Sequence, residues 1–320
     1  IGFVGAWFFV ILAPTSSVVP IGGSPMAEHR MYLPLAAVVT LTVIGAFEIG
    51  KRLFHKQQGI VLGCVAGGFV AVLLTFRTIQ RNRDYDSALT IWQDTVEKCP
   101  NNPRAHNGLG LALMQTGKVR EAIGQYEQAL RLKPDSAEAH NNLGIALEQA
   151  GRAQEATEQY EQALRINPDY PDARNNLGIA LMGQGRLQEA IGHYEQALRI
   201  KPDYVQAQCS WGNALLQAGR AQEAIGHYEQ ALRLKPDYAE AHYNLGLGLV
   251  QVGRLQEAME HWEQAVRIRP DYADAYYNLG VALEKLGRTP EAIEHYERAL
   301  RIKPDFVQAQ SRLARARAVQ

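Results

Sequence analysis

The chain has 320 residues, with 33 basic and 33 acidic side chains and 47% hydrophobic content. A formal charge of zero argues against nucleic acid as the main partner, because that footprint is a basic excess. The zero hides an asymmetry: residues 1–83 carry seven Lys or Arg and two Glu, a net +5, and the remainder carries 26 basic and 31 acidic residues, a net −5. Two environments are expected, and the apolar runs of the first part make one of them lipid.

The chain opens at Ile1 inside an apolar stretch with no charged n-region before it, so the expected reading is a carboxy-terminal piece of a longer protein, not a signal peptide. Residues 1–83 are expected to form a membrane segment. Residues 1–13 would end a truncated span, and residues 31–50 and 59–76 each approach the roughly 20 residues that cross a bilayer. The short loop "KRLFHKQQ" holds Lys51, Arg52 and Lys56, which favours a cytoplasmic loop. Residues 14–30 and the part after residue 77 would then lie on the extracytoplasmic face. Just before the second span sits a compact charged group, Glu28, His29 and Arg30. Arg30 could hold a lipid phosphate through charge-assisted hydrogen bonds, with Glu28 orienting it; the plain alternative is an interfacial anchor.

From residue 103 the sequence repeats every 34 residues, a period of paired-helix solenoids. Gly110, Gly144, Gly178, Gly212, Gly246 and Gly280 recur in register, as do Gly117, Gly151, Gly185, Gly219, Gly253 and Gly287. Tyr126, Tyr160, Tyr194, Tyr228, Trp262 and Tyr296 follow, and each unit closes on a proline from Pro134 to Pro304. In the second unit Ala139, Leu143, Ala146, Leu147 and Ala150 fall on one helix face, where Gly144 lets the partner helix approach. Gly151 can take a left-handed conformation and end the first helix, and Pro168 stops the second. Asp237 with Glu240 is expected as an N-cap and capping box, and Thr289-Pro290 as a cap with a first-turn proline.

These features resemble the tetratricopeptide repeat. The implied fold is all-α: a superhelical solenoid of six full repeats over 103–306, preceded by transmembrane helices. Residues 84–102 form the second helix of a degenerate leading repeat, because Ala88, Trp92 and Pro100 stand 34 residues before Ala122, Tyr126 and Pro134. Residues 307–320 form a basic terminal half repeat that covers the last apolar face.

The resemblance also implies a groove lined by the first helix of each unit. Its outward side carries Asn142, Asn176, Asn244 and Asn278 at one repeated position, broken by Gly108 and Ser210. Carboxamides both donate and accept, so a spaced row can grip an extended peptide backbone; "AHNNLGIAL" is similar to the asparagine-bearing repeat helices of the O-linked N-acetylglucosamine transferases. One turn on runs an apolar stripe, Leu111, Ile145, Ile179, Leu247 and Val281, interrupted by Asn213. The alternative is that these asparagines only satisfy caps or neighbouring helices. His193, His227, His261 and His295 recur on the second helices, too far apart for one metal ion, and are expected as a solvated stripe. Cys64, Cys99 and Cys209 show no disulfide or zinc spacing and are expected to be small buried residues.

No nucleotide loop, nucleophile elbow or metal pair stands in residues 84–320. The order "SPMAEHRMYLPLA", two spans and "RNRDYDSALTIW", however, resembles the junction of the transmembrane and tetratricopeptide-repeat O-mannosyltransferases and their bacterial relatives. That resemblance implies a polytopic, lipid-donor glycosyltransferase with its repeats on the lumenal or periplasmic side. The donor would be a polyprenyl-phosphate sugar, and Glu28, His29 and Arg30 could contact it. The family's acidic catalytic loop is not in this chain, so no catalytic residue carries over and no cofactor is expected in this part. Expected partners are proteins or extended peptides and membrane lipid. The competing reading is a non-enzymatic membrane scaffold.

Overall fold

The structure, a computed structural model, describes Phe69 and residues 87–318. The chain divides into two units, residues 1–86 and 87–320. The spans expected at 1–13, 31–50 and 59–76, the charged group Glu28, His29 and Arg30, and Cys64 therefore lie outside the described residues. So does the first helix expected for the leading repeat. Among the described residues no helix is long and apolar enough to cross a membrane.

The second unit is built from helices alone among its described residues. Helix α1 (Ala88–Lys98) precedes three pairs: α2 (Pro103–Gln115) with α3 (Val119–Leu132), α4 (Ala137–Gln149) with α5 (Ala153–Ile166), and α6 (Pro171–Gly183) with α7 (Leu187–Ile200). Three more follow: α8 (Val205–Gln217) with α9 (Ala221–Leu234), α10 (Ala239–Gln251) with α11 (Leu255–Ile268), and α12 (Ala273–Lys285) with α13 (Thr289–Ile302). Helix α14 (Val307–Ala318) closes the stack.

Each pair is held by one large ring set against one glycine. A Cβ built on Gly178 or Gly212 would lie 2.5 Å from Cε1 of Tyr194 or Tyr228 of the same repeat. Those rings, like Tyr126, Tyr160 and Tyr296, are at most 1% exposed. The turn inside each pair is closed by the second glycine series, whose φ angles lie between 74° and 81°, a region that costs a residue with a Cβ roughly 1–2 kcal/mol. At the second repeat Gly151 N–H reaches Glu148 O (2.9 Å) and Arg152 N–H reaches back to Leu147 O (2.8 Å), which satisfies carbonyls the helix end leaves open.

Three local expectations are corrected. The N-cap of α10 is Tyr238, without a side-chain cap bond, and Glu240 instead pairs with Arg269. Thr289 is the first residue of α13 and its cap is Arg288, although Pro290 does sit in the first turn. Ala150 is an exposed C-cap and not part of the buried face. Side-chain caps are found at Ser87, Asn102 and Ser136. Of the cysteines, Cys209 is buried as expected and Cys99 is exposed.

Helix α14 buries Ala309, Leu313 and Ala316 and is tied by Arg312 to Glu284 (3.1 Å) and by Arg317 to Glu297 (2.7 Å).

Candidate functional site

First helices of successive repeats touch one another, whereas second helices pack chiefly on the first helices beside them. The stack therefore places the first helices on its inner side, and the side chains between neighbouring first helices form the candidate site.

There the asparagine row is tied from repeat to repeat. Asn142 Nδ2 donates to Asn107 Oδ1 (3.1 Å), Asn176 Nδ2 to Asn141 Oδ1 (2.9 Å), and Asn278 Nδ2 to the Tyr243 hydroxyl (3.2 Å). Each rung joins residues 35 apart, one repeat plus one position. Asn244 stands in the same register opposite the buried Cys209. Where a rung forms it uses one N–H and fixes the amide plane, leaving the second N–H and the carbonyl oxygen. Asn142 is 9% exposed and the other three are half-buried. The neighbour-satisfying alternative thus holds for part of each bonded amide. Beside the row Ile145 is exposed, and Ile179, Leu247 and Val281 are half-buried.

Both breaks in the row have a physical reason. A Cβ on Gly108 would fall 2.5 Å from Cε2 of Trp92, so the indole of α1 fills the place of the first amide. Ser210 is one bond shorter than asparagine, and Asn175 Oδ1, which would receive that rung, is buried without a partner. In the same repeat Asn213 turns to the core and accepts from the Tyr228 hydroxyl (2.7 Å).

The histidines are not a solvated stripe. His193, His227, His261 and His295 are half-buried and face the fourth position of their own repeat. His227 Nδ1 lies 2.8 Å from Gln208 Oε1, and His261 Nδ1 lies 3.0 Å from His242 Nδ1. His242 Nε2–H donates to Pro236 O (3.0 Å), which leaves its Nδ1 to accept from His261. Burial holds His193, His227, His242, His261 and His295 below the ordinary imidazole pKa. The fourth position also braces the preceding proline carbonyl: His106 Nε2 lies 2.8 Å from Pro100 O and His140 Nε2 lies 3.1 Å from Pro134 O. Among the described residues no three His, Cys, Asp or Glu side chains converge as a metal site.

Stacked helix pairs with their first helices inward, and a row of oriented amides beside an apolar stripe, define a superhelical helix-repeat scaffold. The chain belongs to the tetratricopeptide-repeat family. Its repeat models match residues 76–123, 109–171 and 151–205, then 212–252 and 248–287, and finally 273–306. The chain is similar to protein O-mannosyl-transferase F38B6.6 of Caenorhabditis elegans, 28% identical over 37% of this chain and 16% of that protein. Tmtc3 of Drosophila melanogaster is 29% identical over 40% of this chain, and TMTC1 of Homo sapiens is 30% identical over 40%. Each of the latter two is covered over 14% of its length, so the shared stretch is a small part of these relatives. Among solved structures, the APC/C hetero-tetramer Cut9–Hcn1 shares the fold, with a TM-score of 0.66 at 19% identity over 92% of this chain and 57% of that one. PilF of Pseudomonas aeruginosa does so with a TM-score of 0.59 at 21% identity, over 67% of this chain and 97% of that one.

Proposed function

We propose that the array is a protein-binding module that holds an extended peptide segment along its inner face, and that it is the carboxy-terminal part of a membrane-embedded protein glycosyltransferase. The observation that carries the binding reading is the row of inter-repeat amide bonds: Asn142, Asn176 and Asn278 are oriented before any partner arrives, so little ordering entropy remains to be lost on binding. Peptide N–H and C=O groups would meet the remaining amide groups, and the flanking Ile145, Ile179, Leu247 and Val281 would cover apolar side chains.

The enzyme reading rests on the similarity to three O-mannosyl-transferases and on the apolar stretches 31–50 and 59–76. In that reading residues 1–83 span the membrane and the array stands on the extracytoplasmic face. Arg30, with Glu28 and His29, contacts the phosphate of a polyprenyl-phosphate sugar, and the array supplies acceptor protein. The scaffold alternative keeps the membrane segment and the groove and omits transfer.

One assay on the whole membrane protein separates these readings. It follows sugar transfer from a polyprenyl-phosphate donor, and binding of a short fluorescent peptide of threonine, valine and glutamine. Changing Asn142, Asn176, Asn244 and Asn278 together to Ala is expected to weaken peptide binding about tenfold or more, while Arg30→Ala abolishes transfer and leaves binding intact. Unchanged binding in the quadruple variant contradicts the groove. Undiminished transfer in Arg30→Ala contradicts the donor contact, and binding by a whole protein incapable of transfer leaves the scaffold.

A further inference from the structure

The inner face contains two carboxylates at the twelfth position of a repeat, Glu148 in α4 and Glu284 in α12, and the chain treats them differently. Both accept from the core tyrosine of their own repeat: Tyr160 hydroxyl to Glu148 Oε2 (3.0 Å) and Tyr296 hydroxyl to Glu284 Oε2 (2.7 Å). Each carboxylate is thereby fixed in place by a buried ring. At Glu284 a cation completes the arrangement. Arg312 Nη1 lies 3.1 Å from Glu284 Oε2, projecting from the position of the next first helix that carries asparagine elsewhere in the row.

At Glu148 the residue in that place, again 28 positions on, is Asn176, whose amide is given to Asn141. Among the described residues no Lys, Arg or His lies within ion-pair distance of Glu148. The carboxylate is half-buried and stands three residues beyond Ile145 on the same helix, about 60° around it, which puts it at the edge of the proposed binding face. A second group there is unsatisfied. The Tyr194 hydroxyl of the next repeat is buried without a hydrogen-bond partner, and the Glu148 charge acts on it. A fixed anion and an orphaned hydroxyl, which can accept as well as donate, are complementary to an ammonium or guanidinium group, whose N–H groups only donate.

We propose that Glu148 seats a lysine or arginine side chain of the extended partner segment, as Glu284 seats Arg312 within the chain. This rests on the peptide-binding reading above and specifies its partner: an extended segment with a cationic residue placed to reach the second repeat while its backbone meets the Asn142 and Asn176 rungs.

The test uses the full chain in detergent and four fluorescent peptides of threonine, valine and glutamine, identical except for a central Arg, Lys, Gln or Glu. Fluorescence anisotropy is expected to give the Arg and Lys peptides affinities about tenfold tighter than the Gln peptide, the size of one hydrogen-bonded charge contact, with the Glu peptide weakest. Glu148→Gln keeps an acceptor for Tyr160, so the fold is retained, and is expected to bring the Arg and Lys peptides to the level of the Gln peptide. Asn176→Arg recreates the Arg312 arrangement and is expected to erase the preference by occupying the seat from within. A wild-type chain that binds all four peptides equally, or a Glu148→Gln variant that keeps the preference, overturns the inference while the groove reading survives. Failure of the wild type to bind any of the four overturns both.

Discussion

Tyr228→Ala is expected to cost the array about 3–5 kcal/mol, the range for removing a large buried ring. Tyr228 is fully buried, fills the space left by Gly212 and donates to Asn213, so its removal leaves both a cavity and an unsatisfied amide oxygen. Because a repeat stack is held by nearest-neighbour interfaces, the loss should split the unfolding transition at repeat four and leave the flanking repeats as separate blocks. Urea unfolding followed by circular dichroism checks this: a single transition at an unchanged midpoint would show that the ring does not hold the pair together.

Gly212→Ala carries the second large effect and a sign that propensity alone gets wrong. Alanine in a helix interior normally gains about 1 kcal/mol over glycine. Here the new Cβ would stand 2.5 Å from Tyr228 Cε1, with the ring fixed by its hydrogen bond, and overpacking of this kind costs ~1–3 kcal/mol. A net loss of up to about 2 kcal/mol is expected. Gly226, in the second helix of the same repeat, has nothing within 4 Å of its would-be Cβ, so Gly226→Ala should stabilise by about 0.5–1 kcal/mol. In a Tyr228→Ala background the Gly212→Ala penalty should vanish, since its partner is gone. Equal shifts for Gly212→Ala and Gly226→Ala, or a penalty that survives in the double variant, would contradict the ring-on-glycine account.

The repeating glycines, rings and prolines were readable from the sequence because each acts within its own repeat. The period alone separates Gly144, which meets a ring, from Gly151, which takes positive φ. What the sequence left hidden lies between repeats. The rung from Asn176 to Asn141 spans one period plus one residue, an offset set by how adjacent first helices slide past each other, and no single-helix pattern contains it. The histidines differ from expectation for a related reason: a polar residue every 34 positions suggests a wet stripe, but its partner at the fourth position varies among His, Gln, Arg and Tyr and so escapes pattern matching. The Asp237 cap failed because Glu240 finds Arg269, a contact 29 residues away. Glu148 carries no signal of its own in the sequence, because its meaning depends on Tyr160 and on Asn176 standing where Arg312 stands beside Glu284.

The central claim, that a partner lies along the first helices, is tested most directly by photo-cross-linking at two side chains of equal exposure. Ile145 on α4 and Ile166 at the end of α5 are both 39% exposed, so accessibility does not distinguish them. With p-benzoylphenylalanine at either place in the full chain, the arginine-centred peptide is expected to cross-link at position 145 and not at position 166. Cross-linking at 166 with none at 145 would contradict the account.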